Sequence, residues 1–151
     1  MKLNKIYNAI AIVLIAFVIA GCDKVPVNGD LDGLWQLMEI KQGEQTIDKK
    51  ADRLYCSFQL SLFMLGRDGG KARQYFGRFE RDGGTLRFYD FTFRAAYTEE
   101  STLDRLMTDE DLPTIAPWGF YAIDCPFEIV TLNSQALVIK HGDTVITYRK
   151  M

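Results

Sequence analysis

The tetrapeptide Arg-Asp-Gly-Gly occurs twice in this chain, at residues 67–70 and again at 81–84. Asp-Gly supplies the positive φ angles that tight β-hairpin loops require. "KARQYFGRFE" lies between the two copies, and "TLRFYDFTF" follows the second. Ahead of both, residues 53–65 place Leu54, Cys56, Phe58, Leu60, Leu62 and Met64 on one parity, with Arg53, Tyr55, Ser57, Gln59 and Ser61 on the other. That is the period of a half-buried strand. Residues 53–93 therefore read as a meander of three antiparallel strands joined by two hairpins. In the third, Leu86 and Phe88 share one parity and Phe91 and Phe93 the other, so a bulge is expected near Tyr89 or Asp90.

The flanking segments extend this pattern. "GLWQLMEI", residues 33–40, reads as a first strand, and "QGEQ" turns after it. Residues 119–133 carry Tyr121, Ile123, Cys125, Phe127 and Ile129 on one face, with Pro126 requiring an edge or a bulge. Residues 135–150 form a closing hairpin around Gly142 and Asp143. One segment differs: Leu103, Leu106 and Met107 recur at helical spacing ahead of Pro113, so one short helix is expected over 99–108. The count is seven strands, with the long 120–132 run or the segment near residue 48 able to supply an eighth. The 10 Phe, 7 Tyr and 2 Trp suit strands rather than helices. Successive hairpins leave two raw edges unless the sheet closes on itself. The expected fold is all-β, an antiparallel up-and-down barrel of seven to eight strands with one short helix; a sandwich is the alternative.

The amino terminus carries a different message. Lys2 and Lys5 precede 12 unbroken apolar residues, 9–20, too few for a permanent bilayer span of about 20. Ile19-Ala20-Gly21-Cys22 at the exit resembles the lipobox of bacterial lipoproteins. The resemblance implies a signal peptide over 1–21, cleavage after Gly21 and acylation of Cys22; two or more acyl chains, such as palmitate, make a stable anchor where one does not. Residues 22–30 then read as a tether, and 31–151 as one domain. The expected localisation is the bacterial cell envelope, lipid-anchored at the outer membrane. The formal charge is −2, and becomes more negative once Lys2 and Lys5 are removed. That excludes nucleic acid as an expected partner, since binding it needs a basic patch.

Gly33-Leu34-Trp35 resembles the Gly-x-Trp motif that opens the lipocalin barrel, and Arg149 stands where lipocalins carry an Arg near the end of the last strand. Over about residues 31–150 the chain resembles the lipocalin-like lipoproteins of Bacteroides and relatives. The resemblance implies that Arg149 packs over Trp35, a cation–π contact closing the barrel. The expected helix departs from that family, because it interrupts the barrel strands instead of following them.

Few residues offer chemistry. His141 is the only histidine and adjoins a hairpin turn, where a solvated role is expected; no metal site and no cofactor is expected. Asp109, Glu110 and Asp111 lack the spacing of a calcium loop. Asp124 and Glu128 share one strand face, the arrangement a glycosidase would use, but nothing directs them at a cleft. Cys56 and Cys125 are either a disulfide pair, which an exported compartment permits, or two core thiols. Phe58, Tyr75, Phe79, Phe88, Tyr121 and Phe127 are expected to face inward, lining an apolar pocket or simply filling the barrel. Trp118, within 112–120, is placed as a cap over the mouth or a partner contact. The expected function is noncatalytic binding of a small apolar or amphipathic ligand in or at the barrel mouth. The alternative is a protein-interaction module, an accessory subunit of an envelope complex or an enzyme inhibitor.

Overall fold

The computed structural model describes residues 28–68, 72–93 and 104–151. The expected signal peptide, Cys22, the expected tether up to residue 27 and positions 99–103 of the expected helix lie outside the described residues.

Among the described residues ten strands form one antiparallel sheet: β1 (Gly33–Gln42), β2 (Gln45–Asp48), β3 (Leu54–Gln59), β4 (Leu62–Arg67), β5 (Ala72–Asp82), β6 (Thr85–Phe93), β7 (Arg105–Leu106), β8 (Cys125–Leu132), β9 (Ala136–His141) and β10 (Thr144–Lys150). Eight of them run β10-β9-β8-β6-β5-β4-β3-β1, and β10 pairs back onto β1 to close the barrel. β2 and β7 are short additions paired to β1 and β6. Closure removes both edges of the meander, as anticipated.

The expected strand over 53–65 is two strands. A turn at Leu60 and Ser61 separates β3 from β4, and Gln59 pairs with Leu62. Leu60 takes the left-handed conformation, φ 57°. Hairpins of this length favour Gly there, and a side chain costs about 1 kcal/mol. The turn reverses the parity. Leu54, Cys56 and Phe58 point inward from β3, but from β4 it is Phe63 and Leu65 that are buried, leaving Leu62 and Met64 outside.

The bulge in β6 falls at Asp90, φ 52°, with Arg78 pairing Tyr89 and Phe76 pairing Thr92. It brings both Phe88 and Phe91 into the interior. Gly77 on β5 faces this bulge. A Cβ there would lie 2.6 Å from the Phe63 ring and 2.9 Å from the Tyr89 carbonyl oxygen. Because that oxygen is backbone, it cannot step aside. We expect Gly77→Ala to destabilise the fold by about 1–3 kcal/mol in urea unfolding, the cost of overpacking; an unchanged midpoint would contradict this geometry.

Over 104–108, the described part of the expected helix, the chain is not helical. Over 105–108 the chain is extended, with Arg105 and Leu106 pairing Phe93 and Thr92 and the Met107 N–H donating to the Phe91 carbonyl at 2.7 Å. The apolar spacing that suggested a helix there serves an added strand. One turn of helix, α1 (Leu112–Ile115), follows instead, between 3-10 turns at Asp109–Asp111 and Ala116–Trp118. Thr108 and Asp111 close a reciprocal capping box on the first 3-10 turn, and Pro113 occupies the first turn of α1, where a missing N–H is tolerated. Gly119, φ 90°, ends the second 3-10 turn. The strand expected from 119 begins only at Cys125. Pro126, its second residue, pairs Arg87 ahead of the point where β9 joins at Glu128.

The filled barrel and an apolar groove on its outer wall

Of the seven aromatic residues expected at a ligand site, five are fully inside: Phe58, Phe79, Phe88, Trp118 and Phe127. Tyr75 is half-buried at the rim, its ring 5.8 Å from Trp118. Tyr121 is not inside; it precedes β8 and is 49 % exposed. The interior also holds four rings the alternation did not single out, Phe63, Phe91, Phe120 and Tyr148.

Phe120 decides the character of the interior. It lies 4.9 Å from Phe88, 5.3 Å from Phe91 and 5.7 Å from Phe127, centroid to centroid, mostly edge to face. Edge-to-face pairing suits the ring quadrupoles and fills volume well. α1 and the turn after it thus deliver Ile115, Trp118 and Phe120 into the barrel as a plug, where a cap over the mouth was expected. Trp118 anchors it by donating its indole N–H to the Tyr55 carbonyl at 3.2 Å, with the Arg67 guanidinium 5.4 Å above its ring. At the plug's base Arg105 grips Asp111 through two bonds of 2.7 Å, which holds the Asp111 carboxyl well below the usual carboxylate range. That engagement, with the capping box, gives Asp111 a structural role, while Asp109 and Glu110 are exposed. Among the described residues no cluster of His, Cys, Asp and Glu suits a metal ion.

The barrel's other end is closed differently from expectation. The cation over Trp35 is Lys150, its ammonium 4.7 Å from the ring, and Arg149 instead donates to Gln36 on the outside at 2.9 Å. The pairing register explains the exchange. Trp35 pairs Lys150, whereas Arg149 pairs Gln36, and residues directly opposite share a face. Trp35 also donates its indole N–H to the Leu31 carbonyl at 2.8 Å, pinning the 3-10 turn Gly29–Leu31 under the barrel.

Cys56 and Cys125 are separate thiols, both buried. Each stands on one of two strands, β3 and β8, that are four steps apart in either direction round the eight-strand circuit. Opposite walls cannot bring Cα atoms within the roughly 7 Å a disulfide spans. Burial pushes the Cys56 thiol up, and burial with the nearby Asp124 charge pushes that of Cys125 up to about 11. Cys125 and His141 do line one small cavity of about 70 Å³, beside Phe127. The Cys125 thiol stays protonated, and His141 Nδ1 is engaged with the Pro126 carbonyl at 2.6 Å. That pair is not an activated nucleophile. Asp124 is likewise committed. It accepts two bonds from Arg87, at 2.7 and 2.6 Å, and its carboxyl sits below the usual range. A glycosidase acid needs the reverse shift. Inside the barrel, the Tyr148 hydroxyl is buried without a hydrogen-bond partner among the described residues.

The large apolar concavity is on the outside. Reversed parity in β4 puts Leu62 and Met64 on the outer wall, where they join Leu34, Tyr55, Leu60 and Phe76 in an open groove of about 920 Å³. Its middle is one cross-strand row, Leu34–Ser57–Met64–Phe76, read directly from the pairing of β1, β3, β4 and β5.

A family model for a lipocalin-like domain matches residues 16–151. The chain belongs to this family. Among solved structures, the lipocalin-like protein of Bacteroides uniformis shares 23 % identity at a TM-score of 0.57, covering 82 % of this chain and 100 % of that one. An uncharacterised protein of Bacteroides eggerthii shares 16 % at a TM-score of 0.55, covering 80 % and 99 %. No curated protein matches. At such identities the likeness is one of fold, and this lipocalin-like barrel must be read for function from its own residues.

Proposed function

We propose that this lipocalin-like protein is a noncatalytic, lipid-anchored component of the bacterial cell envelope that holds a small apolar or amphipathic molecule on its outer wall. The lipobox at Cys22 supports the anchor. One observation carries the location of binding: Phe120 occupies the centre of the lumen, while the outer groove is open and lined by Leu34, Leu62, Met64 and Phe76. Its size falls within the 300–1,000 Å³ typical of small-molecule sites. The same exposed groove favours a second reading, a protein-interaction module seated on it.

Titration of the domain with an apolar fluorescent probe tests the site. Met64→Glu puts an unpaired charge into the groove and should weaken probe binding about tenfold or more, since each 1.4 kcal/mol is a factor of ten. Its thermal midpoint should stay close to wild type, because Met64 is not in the core. Probe affinity unchanged by Met64→Glu would refute an outer-wall site. Native mass spectrometry of protein from its own host separates the two readings: a retained small molecule supports the first, a copurified protein the second.

A further inference from the structure

The β3–β4 hairpin ends in two leucines that the fold does not use. Leu60 is 60 % exposed and Leu62 49 % exposed. Leu60 also holds the left-handed turn position, where glycine would be unstrained. The described chain begins at this hairpin: the Asn28 side-chain amide donates to the Leu60 carbonyl at 2.8 Å, and the Arg81 guanidinium reaches the Asn28 carbonyl at 3.4 Å. Cys22 lies six residues before Asn28. Six residues span at most about 20 Å when fully extended. Two cations flank the leucines. Arg78 pairs Leu62 across β4 and β5, and Arg81 stands three residues on. Both are exposed, and neither is in an ion pair among the described residues. The carboxylates of Asp32 and Glu80 are occupied, by Asn28 and by Arg87 with Tyr89, while exposed Asp82, next to Arg81, is in no ion pair among the described residues.

We propose that the Leu60–Leu62 hairpin seats in the surface of the phospholipid bilayer to which Cys22 is anchored. The two leucines enter the headgroup–acyl boundary, and Arg78 and Arg81 meet anionic headgroups, the division of labour seen in interfacial segments. The outer groove begins at these same leucines. Docked this way, it opens onto the lipid, so its ligand class is an amphipath arriving from the bilayer. The inference rests on the anchoring of Cys22.

The test uses the full chain expressed with its signal peptide and reconstituted into vesicles of phosphatidylethanolamine with phosphatidylglycerol. An environment-sensitive fluorophore is placed at Leu60→Cys, at Leu62→Cys as a second site, and at Asp143→Cys in the β9–β10 turn at the other end of the barrel. The mass of the N-terminal peptide is read on the same samples. We expect labels at 60 and 62 to shift to the blue and to lose at least half their emission to nitroxide-bearing lipids, with the label at 143 unchanged. Acylated protein whose labels at 60 and 62 stay water-like overturns the docking and leaves the anchor standing. Quenching without an acyl mass supports the docking and overturns the anchor; neither signal overturns both. A blue shift with no lipid quenching, appearing only as protein concentration rises, assigns the hairpin to a second copy and also overturns the proposal.

Discussion

Phe120→Ala should lower stability by about 3–5 kcal/mol, the usual cost of removing a buried phenylalanine. The side chain is fully buried and touches Phe88, Phe91 and Phe127, so its loss leaves a space walled by other rings. Those walls belong to hydrogen-bonded strands and cannot collapse freely, which places the effect toward the upper end. For a domain of this size the midpoint of thermal unfolding should fall by roughly 10–20 °C. The space should stay dry and accept benzene or xenon, as apolar cavities of that kind do. Tyr121→Ala, one residue on and half exposed, should change stability by no more than about 0.5 kcal/mol. The pair separates two accounts of the plug. If Phe120 is part of the core, Phe120→Ala unfolds early and gains a lumen site. If the plug is only resting there and the native ligand displaces it, Phe120→Ala should tighten probe binding with less than 1 kcal/mol of stability lost, and the outer-wall reading would fall with that result.

Much of this fold could be read before any coordinates. The two-residue turns at Gly43, Gly83 and Gly142 carry residues that suit positive φ, and each forms a hairpin where anticipated. The bulge at Asp90 was legible too, because Asp tolerates the left-handed region and the phenylalanines around it change parity. The turn at Leu60 was not. "QLSL" has no Gly, Asn, Asp or Pro, and Leu60, Leu62 and Met64 continue the parity of Leu54 by chance of composition. The available signal was the competing parity of Phe63 and Leu65, both larger or better buried than the residues chosen. Missing that turn misassigned β4's faces, and with them the outer groove. Phe120 escaped notice for another reason. Its position depends on a non-repetitive segment closing over the barrel, a tertiary event with no periodicity to betray it. Lys150 displaced Arg149 over Trp35 because a one-residue shift in register moves every side chain to the other face.

That last exchange sets a second large expectation. Trp35→Ala should cost about 3–5 kcal/mol, comparable to Phe120→Ala, but should act on a different structure. Trp35 is fully buried, holds the Leu31 carbonyl, and sits beneath Lys150, whose ammonium also reaches the Asp30 and Asp32 carbonyls. One indole therefore joins the entering chain, β1 and β10. Removing it leaves the Leu31 carbonyl without its donor and frees the last residues of β10, so amide exchange should rise first at Gly29–Leu31 and in β10. Phe120→Ala should instead expose β6 and β8. The two neighbours at the C-terminus then discriminate between closing cations. Lys150→Met keeps the apolar stem but loses the charge and its hydrogen bonds, and should cost about 1–2 kcal/mol. Arg149→Met loses one part-buried bond to Gln36 and should cost no more than about 1 kcal/mol. The reverse order in urea unfolding would return the closing role to Arg149 and contradict the β1–β10 register on which the barrel's closure depends.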